Sequence, residues 1–254
     1  FITLAYIPPT IAGIVLAYRG KLLAGGIMTA FFIALQIMSN HVQMSYYFLF
    51  VILFIVGAYF EDAWRNKTLP KFFKASAVLF VAALIGVAAN LSNLYHTYTY
   101  SKETMRGKSE LVQTGNAAKQ TSSGLDRDYI TNWSYGIGET WTLLVPNFKG
   151  GSSAAPLSQS ETAMAKANPM YGSLYGSFPQ YFGTQPWTAG PVYVGAFVLF
   201  LFVLGCFIVK GPLKWALLGA TFFSIVLAWG KNFMPLTDFF IDCLLYTSPS
   251  PRDS

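Results

Sequence analysis

Charge is what this sequence has least of. Asp, Glu, Lys and Arg make up 11% of its 254 residues, against about 25% in an ordinary soluble domain. The deficit is concentrated in long apolar runs, which excludes a conventional soluble globule and makes the chain a polytopic membrane protein. Cysteine and histidine are nearly as scarce. Cys206 lies inside an apolar run and Cys243 in a C-terminal string set aside below, so neither a disulfide framework nor a thiolate metal site can be built. With only His41 and His96, a His-based zinc centre is not expected. Also missing are a Walker-type phosphate loop, a G-x-S-x-G elbow and an H-E-x-x-H pair. Any chemistry must rest on carboxylates, amides, tyrosines and arginines.

Both ends read as breaks in a longer protein. Phe1 already stands within an apolar run, with no initiator Met and no signal peptide. Residues 243–253, CLLYTSPSPRD, resemble the in-frame translation of a transposase sequencing adapter. Residues 243–254 are therefore treated as a non-native tail.

What is abundant is apolar sequence, 54% of the chain. Six segments stand out, at 1–18, 22–38, 45–60, 75–95, 191–209 and 215–230. Each is near the roughly 17–25 residues that a helix needs to cross about 30 Å of hydrocarbon. The expected fold is an all-α polytopic transmembrane bundle of about six spans with a large extracytoplasmic loop. Residues 1–95 would supply four helices, 96–190 the loop region, and 191–242 two further helices with an outer segment.

Charge sets the orientation. The three connections on one side of this arrangement carry Arg19, Lys21, Arg65, Lys67, Lys71, Lys74, Lys210 and Lys214 against Glu61 and Asp62 alone. A Lys/Arg excess marks the cytoplasmic side. The localisation expected is the bacterial inner (cytoplasmic) membrane, with residues 96–190 periplasmic or extracellular. The net charge of +6 is then topogenic, and nucleic acid drops out as a partner. Within the long loop, 100–123 reads as a flexible or helical excursion and 150–155 as a hinge. Residues 129–148 read as packed against the membrane.

Candidate site residues lie on the outer side. Gln36, Asn40, His41 and Gln43 interrupt an apolar stretch, and helical spacing would put Gln36, Asn40 and Gln43 on one face. Polar groups at that depth either line a cavity, where they would contact a sugar hydroxyl or phosphate, or satisfy a hairpin turn. Glu139, in YGIGETWTLLVPNF, is the best carboxylate. Partial desolvation would suit it to general base work or to binding substrate hydroxyls. The alternative is an acid at a helix start, favoured by the dipole. Arg127, between Asp126 and Asp128, has the planar fork that fits a phosphate, or forms local ion pairs. Lys231 and Asp238 are headgroup or pyrophosphate contacts, or interfacial anchors. Tyr171, Tyr175, Phe178, Tyr181, Phe182, Trp187 and Tyr193 would stack on sugar rings or form an interfacial belt.

Four strings, SNHVQMSYYF, ETWTLLVPNFKGGSS, FPQYFGTQPWTAGPVYVGA and LAWGKNF, resemble the YfhO-like family of bacterial membrane proteins in its Bacteroidetes version. The resemblance spans nearly all of residues 1–242. It implies a GT-C architecture and transfer of a sugar from a polyprenyl-phosphate donor to an envelope glycan or lipid acceptor outside the cytoplasm. In that architecture the key acid lies in a first outer loop, expected before Phe1. No catalytic residue is therefore carried over, Glu139 stays a candidate, and Asn40, His41, Gln43, Arg127 and Trp187 are the substrate-binding candidates. No cofactor is identifiable; a divalent metal or basic side chains would steady the leaving phosphate. A transporter or flippase for lipid-linked sugars and a non-catalytic envelope scaffold are the rival readings.

Overall fold

A computed structural model describes residues 2–101, 131–186, 188, 190 and 192–243. Among these residues the chain is all-helical, with no strand and two isolated antiparallel bridges. In chain order the α-helices are α1 (Ile2–Ala5), α2 (Ile7–Tyr18), α3 (Leu22–Met38), α4 (Val42–Arg65), α5 (Leu69–Ala88), α6 (Leu91–Ser101), α7 (Glu161–Met164), α8 (Ala196–Ile208), α9 (Pro212–Ala228) and α10 (Met234–Cys243). Short 3₁₀ helices fill much of the segment between α6 and α8, the longest being Ile137–Leu143.

Each expected apolar segment contains helix among the described residues, but lengths differ from expectation. Gln43–Arg65 and Leu69–Ala88 are long and apolar enough to cross a membrane. The pair Pro212–Ala228 and Gly230–Phe240 adds a third if its 112° bend lies within one span. Ile2–Tyr18, Leu22–Met38 and Ala196–Ile208 are apolar but shorter. At 1.5 Å per residue, the 17 residues of α3 extend only about 25 Å, short of the hydrocarbon thickness.

The boundaries have physical causes. Pro70 sits in the first turn of α5, where its missing N–H is harmless, so the helix starts earlier than expected and takes in Lys71 and Lys74. The expected segment 75–95 is also divided. Asn90 donates from Nδ2 to Ala34 O at 2.9 Å and to Gly86 O at 3.3 Å, and the helix restarts at Leu91. The basic connection 61–74 is mostly helical, with a tight turn at Asn66–Thr68 in which Lys67 takes φ +55°.

The described residues divide into two compact units, those within 1–125 and 210–221 and those within 126–209 and 222–243. Helix α9 contributes residues to both units. In the first unit, Ile14, Ala17, Ile55 and Leu79 form the buried core, with Val51, Ile52 and Leu213 packed around them. Tyr18 stacks on Tyr59 and Phe72 at centroid distances of 4.4 and 5.4 Å, and its hydroxyl lies 2.9 Å from Ser76 Oγ.

Helices α2 and α3 pack backbone against backbone. A Cβ built on Gly25 would lie 2.7 Å from Gly13 O, and one on Gly13 would lie 2.9 Å from Thr29 N. Backbone cannot yield as a side-chain tip can. Gly25→Ala should therefore destabilise the protein by about 1–3 kcal/mol, the usual cost of overpacking. Gly57, with nothing within 4 Å of its built Cβ, should gain about 0.5–1 kcal/mol as Ala through helix propensity. Unfolding in mixed micelles followed by circular dichroism checks both. Equal midpoints for the two variants would contradict the packing argument.

Candidate functional site

The second unit is organised by one buried acid. Glu139 is 1% exposed and sits on the 3₁₀ helix Ile137–Leu143. With three residues per turn, Gly136, Glu139 and Thr142 share a face, and all three are buried. The Glu139 carboxylate reaches back to its own helix start, where Gly136 N–H donates to Oε2 at 2.7 Å. This is one half of a capping box. Its other oxygen reaches across the unit: Thr184 N–H donates to Oε1 at 2.7 Å, and the Tyr181 hydroxyl donates to the same atom.

Short pairings deliver Tyr181 to that position. Phe182 N–H donates to Lys149 O at 2.8 Å and Gly151 N–H to Gln180 O at 3.0 Å. Gln180 N–H donates to Ala155 O at 2.9 Å and Leu157 N–H to Phe178 O at 2.7 Å. The glycine-rich segment 150–155 is thus paired along its length, which corrects its reading as a hinge. Gly183 is required by space: a Cβ there would overlap both Glu139 Oε1 and the Tyr181 hydroxyl. Gln185 completes the layer, donating from Nε2 to Trp133 O at 2.6 Å and from its backbone to the Tyr181 oxygen at 3.3 Å.

A third segment docks on the same helix. Helix α9 ends at Ala228, and the chain turns at Gly230, whose φ of +44° and close approach to Ser134 exclude a side chain. Tyr135 N–H donates to Ala228 O at 2.9 Å, Lys231 N–H to Ser134 Oγ at 2.9 Å, and Asn232 Nδ2 to Tyr135 O at 2.8 Å. Trp229 Nε1 donates to Thr140 Oγ1 at 2.8 Å. The 131–142 segment supplies the partners that the interrupted helix needs.

Chemically, Glu139 is surrounded by donors and engages no cation among the described residues. Its oxygens are engaged by two backbone amides and one phenol, which ties three stretches of chain into one layer. The arrangement supports a positioning role more directly than proton abstraction from a substrate. The helix-start alternative seen in the sequence describes half of it. The longer-range half, through Tyr181 and Thr184, had no signal at residue 139, although Tyr181 stood within the aromatic run already noted. Burial, then the hydrogen bond to Glu139, pushes the Tyr181 hydroxyl well above its ordinary value of 10.0. Thr142 Oγ1 is buried with no hydrogen-bond partner among the described residues.

The other candidates are not drawn into this layer. The cluster at 36–43 belongs to the first unit, and its assumed helical continuity fails. Helix α3 ends at Met38, Asn40 takes φ +56° and His41 precedes α4. Gln36, Asn40 and Gln43 therefore do not share one helix face. Gln36 is buried, and its Nε2 has no partner among the described residues. Asn40, His41 and Gln43 are exposed, and Asn40 Oδ1 accepts from Thr97 Oγ1 at 3.3 Å. Arg127, Asp126, Asp128 and Trp187 lie outside the described residues, as does most of the 100–123 excursion. Tyr171, Phe178 and Phe182 are exposed and Tyr175 half-buried, while Tyr181 is buried. Among the described residues no group of three or more His, Cys, Asp or Glu could hold a metal ion.

Comparison with protein-family models, curated proteins and solved structures finds no match to this chain.

Two predictions follow from the buried layer. Glu139→Gln keeps the shape but turns an amide donor toward at least one of three donors, at about 1–3 kcal/mol for each buried group left unsatisfied. Hydrogen exchange at the Gly136 and Thr184 amides should accelerate, and unchanged protection would refute the clamp. The second concerns pH. A tyrosine whose folded value is raised contributes stability that is intact below about pH 10 and lost as pH rises further, because the unfolded chain releases its proton first. Stability should fall above pH 10, and Tyr181→Phe should flatten that fall in a denaturation series across pH.

Proposed function

We propose that this chain belongs to an integral membrane glycosyltransferase of the YfhO-like, GT-C-like kind. It would span the bacterial inner membrane with about six helices, counting the shorter apolar ones, and carry residues 96–190 on the periplasmic or extracellular side. The substrate pair is a polyprenyl-phosphate sugar and an envelope glycan or lipid acceptor. An acceptor hydroxyl, positioned and deprotonated by a carboxylate, attacks the anomeric carbon. The bond from that carbon to the lipid phosphate breaks, and the phosphate leaves with the electron pair. One base and a steadied leaving group suffice for this inverting step.

The observation that carries the reading is convergence. Three of the four strings behind the family resemblance meet in one folded layer. ETWTLLVPNFKGGSS supplies Glu139, FPQYFGTQPWTAGPVYVGA supplies Tyr181 and Thr184, and LAWGKNF supplies Trp229 and Lys231. Segments far apart in sequence are thus held as one ordered polar unit beside apolar helices, as work on a bulky polar substrate at a membrane surface requires. Glu139 holds that layer in shape, and the reacting base is placed in the first outer loop that the family resemblance implies.

A transporter or flippase for lipid-linked sugars is the second reading. The 112° break between α9 and the helix after Gly230 favours it, since discontinuous helices build substrate sites in transporters. Proteoliposomes holding the full-length protein and a radiolabelled short-chain polyprenyl-phosphate sugar separate the two. Glycosyl transfer predicts label on an added acceptor with release of free polyprenyl phosphate. Movement of intact lipid-linked sugar between leaflets without cleavage would replace the enzyme reading with transport. Neither outcome would leave the envelope scaffold.

A further inference from the structure

The 3₁₀ helix that buries Glu139 and the turns that follow it at 144–148 also carry a set of residues that face outward. Ile137, Trp141, Leu144, Val145 and Phe148 are all exposed, Trp141 by 55% and Phe148 by 48%. The Trp141 and Phe148 rings lie 6.4 Å apart, within the range of an aromatic pair. The row carries no charge until its end, where Lys149 runs its stem beside Gly138. A Cβ on that glycine would lie 3.2 Å from Lys149 Cε and 3.4 Å from its Nζ.

The row also has a continuation within the same unit. Val194 N–H donates to Leu143 O at 3.3 Å, and α8 begins two residues later. Helix α8, AFVLFLFVLGCFI, has no buried residue, and Phe197, Phe200 and Phe207 all stand exposed. A helix apolar on every side belongs in lipid or deep inside a protein. A docked partner covers one side of such a helix, whereas acyl chains cover all of them. Trp at one point of the row and Lys at its end match what gathers at the headgroup boundary.

We infer that the 137–148 segment is a membrane-interface foot. Its apolar row rests among lipid acyl chains next to α8, and the Lys149 ammonium reaches the lipid phosphates. The occupant is a phospholipid surface. The foot begins on the short helix that carries the Glu139 cage and runs on through the turns after it, so lipid contact fixes the polar layer at the membrane surface. This inference stands apart from the sugar-transfer reading, since it requires a bilayer and no particular reaction.

The test uses the full chain in phosphatidylcholine liposomes, on a Cys206→Ser, Cys243→Ser background. Spin labels are placed through Leu144→Cys, Phe148→Cys and, as a polar exposed reference, Asn132→Cys. At 144 and 148, collision with oxygen should exceed collision with a water-soluble nickel chelate several-fold, and at 132 the order should reverse. Ready access of the chelate to 144 and 148 would place the row in water and overturn the proposal. Labels at 144 and 148 that neither reagent reaches would do the same, by showing that protein covers the row. Brominated-lipid quenching checks the result without cysteines in the row. Trp141→Phe should lower the quenchable share of tryptophan emission, and an unchanged share would count against the foot.

Discussion

A carboxylate taken out of water must find donors, and much of the second unit is arranged to supply them to Glu139. An isolated buried charge is far costlier than any single packing defect. Two amides and a phenol at one side chain each remove part of that cost only if their backbones stand in fixed places. Fixing Gly136 fixes the start of the 3₁₀ helix. Fixing Tyr181 requires the pairing of 149–151 with 180–182, and Gly183 must stay without a side chain. The polar unit therefore has a definite shape with little apolar core of its own, because a few short hydrogen bonds in a dry environment hold it together.

The first unit solves a different problem. Its helices present little polarity, so specificity comes from how closely backbones approach. Gly13 and Gly25 bring α2 and α3 together, and Gly86 brings α5 against α3 at Ala30 and Ile33. Asn90 then satisfies two carbonyls at the point where α5 stops. Small residues and amides serve here as large apolar side chains serve in a soluble core. That is the usual balance where lipid, as apolar as leucine, offers no hydrophobic drive between helices.

These two solutions decide what could be read from the sequence. Apolar runs mark helices whatever surrounds them, so each of the six segments contains helix among the described residues. Their ends were harder to place. Pro70, Asn90 and Gly230 set boundaries through local bonding that hydropathy averages away. The polar cluster at 36–43 failed for the same reason: one residue at positive φ, Asn40, breaks the helical spacing on which its shared face depended. Glu139 was visible as an unusual acid between glycines and aromatics. Its partners were not, because a contact across 42 or 45 residues leaves no periodic trace. The eclipsed faces of a 3₁₀ helix also escape a search at 3.6 residues per turn.

The same geometry bears on where reaction chemistry can reside. A base must present a free lone pair to a substrate, and Glu139 turns its oxygens to donors within its own fold. An acid so placed is better suited to hold a surface steady than to accept a proton in each turnover. The three family-like strings converge on that surface, and the interrupted helix at Gly230 is tied to it through Ser134, Tyr135 and Thr140. On the proposed reading, a rigid polar layer of this kind positions a lipid-linked sugar and leaves proton transfer to another carboxylate. Dividing the work in this way lets the layer be built for stability and leaves the strained or exposed carboxylate elsewhere. A loss of activity on removing Glu139 would then speak first to the shape of the layer, and only protein with that layer intact can report on the reacting acid.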